Sequence, residues 1–526
     1  MLGPRRTVAA LAAVGLGLVL WAAWRAKREC LPIGDPRRPD VMLVSIDTLR
    51  ADHVGAWGYE RPTTPFLDEL AATGTRFANA WAAAPWTLPS HATLLTGLLP
   101  IHHGAVEGDI ALPRDCPLLA ESFAAAGYAT GGFVATLYVS RQFGFDRGFA
   151  HFDDFGIADE HQNLSEKPTA AAVFARALAW GRALPAGQPA FLFVHLYDAH
   201  YPYEPPAPWE TRFDRAPRQG DARYRTYSWF LARPLKPAQL THQVAQYDEA
   251  IAYVDDELRT FVEAWRADRP AILSVVADHG EEFGERGSWG HAHTLYPEAL
   301  HVPWIVNGPP VAPGVVDEHV GLEDVAATLA GVAGIAFPAG DGLDRAAQLE
   351  GRRGAMGETG RFAETSRRES LVVRWHRDGL DLIEDLRAGT SALCDLAADA
   401  TCRRDAAAER PLDVVRLEEE LRAVPEESWR AARPGAVTTD GVIFQYREPR
   451  GAVLPVEVGD AFAVLPEDAT VWWSDGAARE GPWRGAGGGA PPVGAPITFT
   501  GKTKGATRAS LDEAQKEALR QLGYVE

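Results

Sequence analysis

Three apolar runs in this chain end in side chains able to hold a metal or move a proton. Val41 to Ile46 runs into Asp47, Phe191 to Tyr197 carries His195 and runs into Asp198-Ala199-His200, and Ala271 to Ala277 runs into Asp278-His279. Continuous apolar runs of this length suit strands buried on both faces of a parallel sheet. In open α/β sheets ligands bind beyond the carboxyl ends of the strands, so the repetition predicts one site assembled from distant segments. A further stretch, Pro85-Trp86-Thr87-Leu88-Pro89-Ser90-His91-Ala92-Thr93-Leu94-Leu95-Thr96-Gly97, reads as a loop that delivers Thr87 to the start of a helix. Unpaired N–H groups there favour negative charge beside the hydroxyl. Taken alone, the same stretch is also an ordinary proline-containing helix start.

The elements that must position these residues follow an α/β pattern. Thr64 as cap, Pro65, the stretch to Ala72 and Gly74 as stop predict a helix, and Leu118 to Gly127 predicts another that leads into a strand over Ala129 to Val134. Leu240 to Trp265, with Val244, Tyr247, Ile251, Val254 and Leu258 at helical spacing, suits a crossover helix between the second and third apolar strands. The pattern continues through Val302 to Val306 and a helix over Glu323 to Ala333. Beyond it, Leu371 to Trp375 and Gly379 to Ile383 read as short hairpin strands, and Ala436 to Trp473 as a small β unit. Gly485 to Pro496 reads as a loop or linker, and the capping box Ser510-Leu511-Asp512-Glu513 opens a final helix to Leu522. Thr211 to Pro237, polar and Arg-rich, has no predicted structure.

The chain has 526 residues, enough for a large core and a smaller appended unit. Its 46% hydrophobic and 23% charged content is that of a folded protein. A formal net charge of −19 argues against a nucleic-acid partner, which would be bound through an excess of Lys and Arg. An anionic substrate would then need locally positive help, such as a metal ion. The N-terminus stands apart: Arg5-Arg6, an uncharged stretch from Thr7 to Trp24, then Arg25, Lys27 and Arg28. That stretch makes roughly 27 Å of helix, enough to cross a hydrocarbon core. With no small-residue cleavage site after it, an uncleaved anchor is favoured over a cleaved signal. Of the cysteines Cys30, Cys116, Cys394 and Cys402, the last two are close enough in sequence to pair in an oxidising compartment, or to remain free thiols.

Taken together, Ser45-Ile46-Asp47-Thr48-Leu49-Arg50-Ala51-Asp52-His53, Arg61-Pro62-Thr63-Thr64-Pro65, Pro85 to Gly97, His195 to Tyr203 and Asp278-His279-Gly280-Glu281 to Val306 resemble the sulfatases of the alkaline phosphatase superfamily. The motifs occur in order and cover about residues 40–400. The resemblance implies a mostly parallel sheet with helices on both faces, a smaller C-terminal antiparallel β subdomain and a bivalent metal at the nucleophile. The expected organisation is a signal-anchor or signal segment over 1–30, a linker over 31–39, a catalytic domain over 40–345, a sulfatase-type subdomain over 346–435, a β-rich appendage with its linker over 436–500 and a helix over 505–526.

By position, the resemblance makes Thr87 the nucleophile and Asp47, Thr87, Asp278 and His279 the metal ligands. Two features depart from sulfatases proper. Formylglycine enzymes oxidise a Cys or Ser in Cys/Ser-x-Pro-x-Arg, whereas this chain has Thr87 and His91; a Thr carbinol would give a ketone, so no formylglycine is expected. The usual Asp pair after the first strand is reduced to Asp47-Thr48, which thins a calcium-type oxygen cage. The remaining set is similar to Thr-nucleophile members of the superfamily such as lipoteichoic acid synthases, phosphoethanolamine transferases and nucleotide pyrophosphatase/phosphodiesterases. Coordination to a divalent cation makes a Thr hydroxyl a competent nucleophile. Three oxygens and one imidazole favour Zn²⁺ or Mn²⁺, with Ca²⁺ and Mg²⁺ as alternatives.

His195, Asp198 and His200 are expected to contact substrate or a second metal. One of His291 and His293 is expected to face the reacting ester, with His293 slightly preferred because it abuts the Thr294-Leu295-Tyr296 helix start. His91 either donates a hydrogen bond near Thr87 or points into solvent. The expected function is a metal-dependent hydrolase of sulfate or phosphate esters working through a covalent Thr87 ester, anchored in a membrane and facing the periplasm or exterior, or secreted after cleavage. Its substrate would be an anionic ester, such as one on an envelope glycan or lipid. The alternatives are a phosphoethanolamine- or glycerophosphate-type transferase of the envelope and a catalytically silent binding protein that uses the segment around 436–480.

Overall fold

A computed structural model describes residues 38–154, 168–215, 236–352, 360–366, 372–385 and 388–423, together with short strands between 436 and 480 and residues 507–509. The anchor expected over 1–30, the Gly/Pro-rich stretch from Gly485 and the helix expected from Ser510 lie outside the described residues. Among the described residues, no helix is long and apolar enough to cross a membrane.

The three apolar runs form β1 (Asp40–Ile46), the strand Ala190–Leu196 and the strand Ala271–Ala277, and every residue of all three is buried. Burial on both faces is what a run without polar alternation permits. In chain order the other principal elements of the main domain are α1 (Pro65–Thr73), β2 (Thr75–Trp81), α2 (Thr87–Thr96), α3 (Leu119–Ala125), β3 (Ala129–Phe133), β4 (His151–Asp153) and α4 (Ala170–Ala183), short turns and two-residue strands aside. The second apolar run is then β5, followed by α5 (Pro237–Arg266), the third run β6, β7 (His301–Asn307), β8 (Gly314–Gly321) and α6 (Glu323–Val332). The strand order is β8-β2-β7-β6-β1-β5-β3-β4, and only β7 runs against its neighbours.

Helices cover both faces: α1 and α4 pack on α5, while α2, α3 and α6 pack together. The crossover helix is longer than its apolar spacing predicts, because Pro237 opens it at a first-turn position where proline loses no hydrogen bond. Its buried Tyr247, Ile251, Val254, Leu258, Phe261 and Trp265 form the stripe that the spacing announced.

Register places the site. β1 pairs in parallel with β5 and β6, setting Ile46 beside Leu196 and Ala277. The chain therefore leaves the sheet at one level at Asp47, Tyr197 and Asp278.

The C-terminal subdomain is a separate antiparallel sheet of β9 (Arg361–Thr365), β10 (Val372–Arg377), β11 (Leu380–Asp385) and β12 (Thr390–Asp395), with α7 (Pro411–Ala423) packed on β10 and β11. The hairpin strands thus extend further than the Leu371–Trp375 and Gly379–Ile383 runs suggest, because cross-strand pairing continues to Arg377 and Asp385. A buried pair of hydrogen bonds from Arg374 to Asp381 ties β10 to β11, and Cys394 and Cys402 form a disulfide. Strands Ile443–Arg447, Val453–Pro455, Thr470–Trp473 and Ala478–Glu480 make a further antiparallel sheet where the small β unit is expected.

Candidate active site

Thr87 is the first residue of α2, a helix buried on every side and closed by Gly97 in the left-handed conformation. A helix without a solvent face needs no charged residue, and residues 85–97 contain none. The Thr87 hydroxyl lies 3.4 Å from Asp47 Oδ2. It therefore meets the carboxylate at the end where the helix dipole and free N–H groups favour an anion.

Asp47, Asp278 and His279 are fully buried, and each offers a ligand atom within 4.8 Å of the others. The His279 Nδ1–H donates to the Gly280 carbonyl at 2.8 Å, so Nε2 carries the lone pair. That Nε2 faces Asp278 Oδ2 at 3.3 Å and Asp47 Oδ1 at 3.6 Å, and neither it nor Asp278 Oδ2 has a hydrogen-bond partner. Burial above all, with His291 nearby, holds the His279 imidazole at about 3. Burial, followed by the Asp47 charge, pushes the Asp278 carboxyl well above its usual range. An imidazole lone pair and two carboxyl groups converge in a buried space, where a proton on Asp278 or, in its place, a divalent cation would relieve their repulsion. The donor set, with the second imidazole nitrogen anchored on a backbone carbonyl, has the pattern of a cation site.

Thr48 takes the place of the second Asp of the usual sulfatase pair. It adopts a left-handed backbone (φ 57°), donates its N–H to Asp278 Oδ1 at 3.2 Å and turns its hydroxyl to the Ala199 carbonyl at 2.8 Å. It fixes Asp278 and joins the β1 and β5 ends.

The remaining expected residues divide. His195 points its Nε2–H at Asp47 Oδ2, 3.2 Å away, and burial holds its imidazole neutral with a value of about 3. His200 donates from Nδ1 to the Tyr201 carbonyl at 2.6 Å, and its ring lies 5.1 Å from that of His291. Asp198 is buried, and its charge adds to the burial that raises the Tyr253 phenol. His91 is completely buried: its Nδ1–H donates to the Thr87 carbonyl at 2.9 Å and its Nε2 accepts from Ser45 Oγ at 2.9 Å. It braces the start of α2 against β1 and neither faces solvent nor donates to the Thr87 hydroxyl.

Of the two loop histidines, the structure brings His291 to the cluster rather than His293. The His291 ring lies 4.5 Å from that of His279, and its Nδ1–H donates to Glu281 Oε1 at 3.0 Å. His293 turns to Glu282 Oε2 at 3.0 Å. Backbone turning separates them: Gly290 and Ala292 both have positive φ, and the Ala292 N–H is bound to the Pro85 carbonyl.

Glu281, part of the Asp278-His279-Gly280-Glu281 motif, has no role that the sequence alone assigns. It also accepts from the Tyr203 hydroxyl at 3.1 Å. Gly280 permits this arrangement, since a Cβ there would stand 2.1 Å from the Glu298 carbonyl oxygen. His53 and Arg61, from the recognised motifs, converge instead on the buried Asp248 of α5 and hold the fold together.

The family model described as Sulfatase matches residues 39–335, more than half of the chain. Arylsulfatase A of Bos taurus is 38% identical over 118 residues, which cover 21% of this chain and 23% of that protein. The ulvan-active sulfatase of Formosa agariphila is 25% identical over 349 residues, 59% of this chain and 64% of the relative. The match thus spans less than two thirds of each of these relatives. The solved structure of the phosphonate monoester hydrolase of Agrobacterium radiobacter superposes with a TM-score of 0.60 at 18% identity, covering 80% of this chain and 100% of that one, a likeness of fold.

Proposed function

Because the chain belongs to the sulfatase family, we propose that it is an ester hydrolase that cleaves sulfate or phosphate esters with Thr87 as its nucleophile. The observation that carries this reading is the Thr87 hydroxyl at a buried helix start, 3.4 Å from Asp47 and beside the Asp47, Asp278 and His279 cluster. Asp47, Asp278, His279 and Thr87 would hold a divalent cation, which would supply Lewis acidity and ease ionisation of the hydroxyl. Zn²⁺ and Mn²⁺ suit the mixed oxygen and nitrogen donors best.

The chain's own residues supply the rest. The start of α2 stabilises negative charge on Thr87 and on the ester, and His195 orients Asp47 through its Nε2–H. The Thr87 oxygen forms a bond to sulfur or phosphorus as the ester's alcohol leaves. The proton released by the Thr87 hydroxyl passes to solvent; His291, as the imidazolium paired with Glu281, gives its Nε2 proton to that alcohol and takes one back from the water that attacks next. Water then cleaves the Thr87 ester, releasing sulfate or phosphate and restoring the hydroxyl. Thr87 excludes the formylglycine route.

The ulvan-active relative and the phosphonate hydrolase fold support anionic esters, such as those on a glycan, as the substrate class. The Cys394–Cys402 disulfide supports an oxidising compartment, and the apolar N-terminal stretch supports a membrane anchor facing it.

The test is turnover of aryl sulfate, aryl phosphate and aryl phosphodiester by protein loaded with Zn²⁺ or Mn²⁺. Intact-mass analysis then reads sulfur or phosphorus in an adduct on Thr87. No turnover of any of the three esters by the loaded wild type would overturn the reading.

A further inference from the structure

A polar cavity whose lining shares no residue with the catalytic cluster lies in the seam between the main sheet and the C-terminal sheet. It has a volume of about 330 Å³ and is lined by Trp81, His301, His319, Arg345 and His376, among others. Trp81 ends β2, the strand that leads through Pro85 to Thr87. β7 is antiparallel to both β2 and β6, so the cavity opens at the same end of the sheet as the catalytic cluster.

Three nitrogens of the lining are buried without a hydrogen-bond partner: Trp81 Nε1, Arg345 Nη1 and His319 Nε2. Arg345 is only 2% exposed and Trp81 only 5%. A buried donor left unpaired costs about 1–3 kcal/mol; Trp81 Nε1 and Arg345 Nη1 are two such donors on one cavity, and His319 Nε2 is a third unpaired nitrogen in the same lining.

The surroundings decide the chemistry of any occupant. Indole and guanidinium N–H groups only donate, which excludes a cation and selects a group rich in acceptor oxygens. The Arg345 guanidinium is held in place by its Nε–H bond to Asp324 Oδ2 at 3.1 Å, leaving Nη1 to spare. His301 and His319 stack on the Trp81 ring at 4.9 and 5.2 Å, and the Arg374 guanidinium lies over it at 4.3 Å. With its ring thus occupied, Trp81 is not a stacking platform for a sugar, and its N–H edge is what it offers. His319 stacks in turn on His376 at 3.3 Å. Of the acidic residues that also line the cavity, Asp317 is exposed and screened by solvent, and Glu318 is engaged by the Gln348 side chain at 3.0 Å.

We propose that this cavity is a second oxyanion site, which takes sulfate, phosphate or a carboxylate through Trp81, Arg345 and His319. The occupant is either the free inorganic anion or the same group carried on a glycan; the chemistry that recognises it is shared. The inference does not depend on Thr87 being a nucleophile.

Crystals of the full chain soaked in selenate, a tetrahedral oxyanion with an anomalous signal, are expected to show selenium between these three side chains. In solution, calorimetric titration of metal-loaded protein with sulfate at constant ionic strength is expected to show a binding event that Trp81→Phe weakens by about tenfold, the effect of one hydrogen bond to an anion. This substitution keeps an aromatic ring for His301 and His319 to pack on while removing the N–H, and aryl ester turnover is expected to stay at the wild-type level. Displacement of selenate by a sulfated disaccharide would assign the site to a glycan-borne anion, and displacement by sulfate alone to the free one. A cavity that holds only water in selenate-soaked crystals, or sulfate binding identical in wild type and Trp81→Phe, overturns the proposal.

Discussion

The Thr87 hydroxyl and Asp47 Oδ2 lie 3.4 Å apart although 40 positions separate them in sequence. Asp47 leaves the central strand just where α2 begins, so the helix start and the carboxylate address one point. Thr87→Ala is therefore expected to lower kcat on any accepted aryl ester by at least about a thousandfold, as loss of a nucleophile does. Thr87→Ser keeps the oxygen and is expected to retain activity and to form the covalent adduct, which intact-mass measurement would show.

The two loop histidines are expected to separate sharply. His291→Ala removes the imidazole beside His279 and should cost about 10²–10⁴-fold in kcat, most strongly with poor leaving groups that need a proton. His293→Ala should leave kcat within about threefold of wild type, because its imidazole is turned to Glu282 rather than to the cluster, while the loss of this largely buried pair should show as lower stability. Rates across a series of substituted phenyl esters would check both. Equal losses in the two variants would remove His291 from the reaction.

Metal loading should release protons. Burial and the Asp47 charge hold the Asp278 carboxyl well above its usual range, so a cation entering the cluster displaces a proton that the metal-free protein retains. Affinity for Zn²⁺ should rise with pH, and the heat of binding should vary with the ionisation enthalpy of the buffer. Chelation should abolish turnover, and readdition of Zn²⁺ or Mn²⁺ should restore it.

Acid should destabilise the fold from an identifiable window. Burial holds His103 and His195 at about 3, against 6.5 for an unhindered imidazole. Each takes up its proton only on unfolding when the pH lies between these values. Stability is therefore complete above pH 6.5 and is lost as the pH falls toward 3, at up to about 1.4 kcal/mol per pH unit for each histidine. Urea midpoints measured between pH 7.5 and 5 should fall accordingly, and His103→Gln should make the fall shallower.

The central sheet was legible because three uninterrupted apolar runs have no other good use, and parallel register then forces Asp47 and Asp278 to one level. The nucleophile helix was legible from a charge-free stretch between Pro85 and Gly97. The choice between His291 and His293 was not, because it hangs on positive φ at Ala292, a conformation that no residue type announces there. The bracing role of His91 was likewise hidden, since it depends on Ser45 arriving from another strand. The Glu281 contacts and the seam cavity arise between segments that the chain brings together only in three dimensions.

The order of the central strands also bears on how the site comes into being. β1 lies between β5 and β6, so His195 meets Asp47 across 148 positions and Asp278 meets Thr48 across 230. Closing loops of that length is slow compared with forming any one helix. The ligand cluster therefore exists only after the middle of the sheet has assembled, and a cation that binds it acts as a late clasp on a chain already threaded. Metal should stabilise the finished fold by mass action while leaving its early assembly untouched, so its kinetic signature belongs in the unfolding rate.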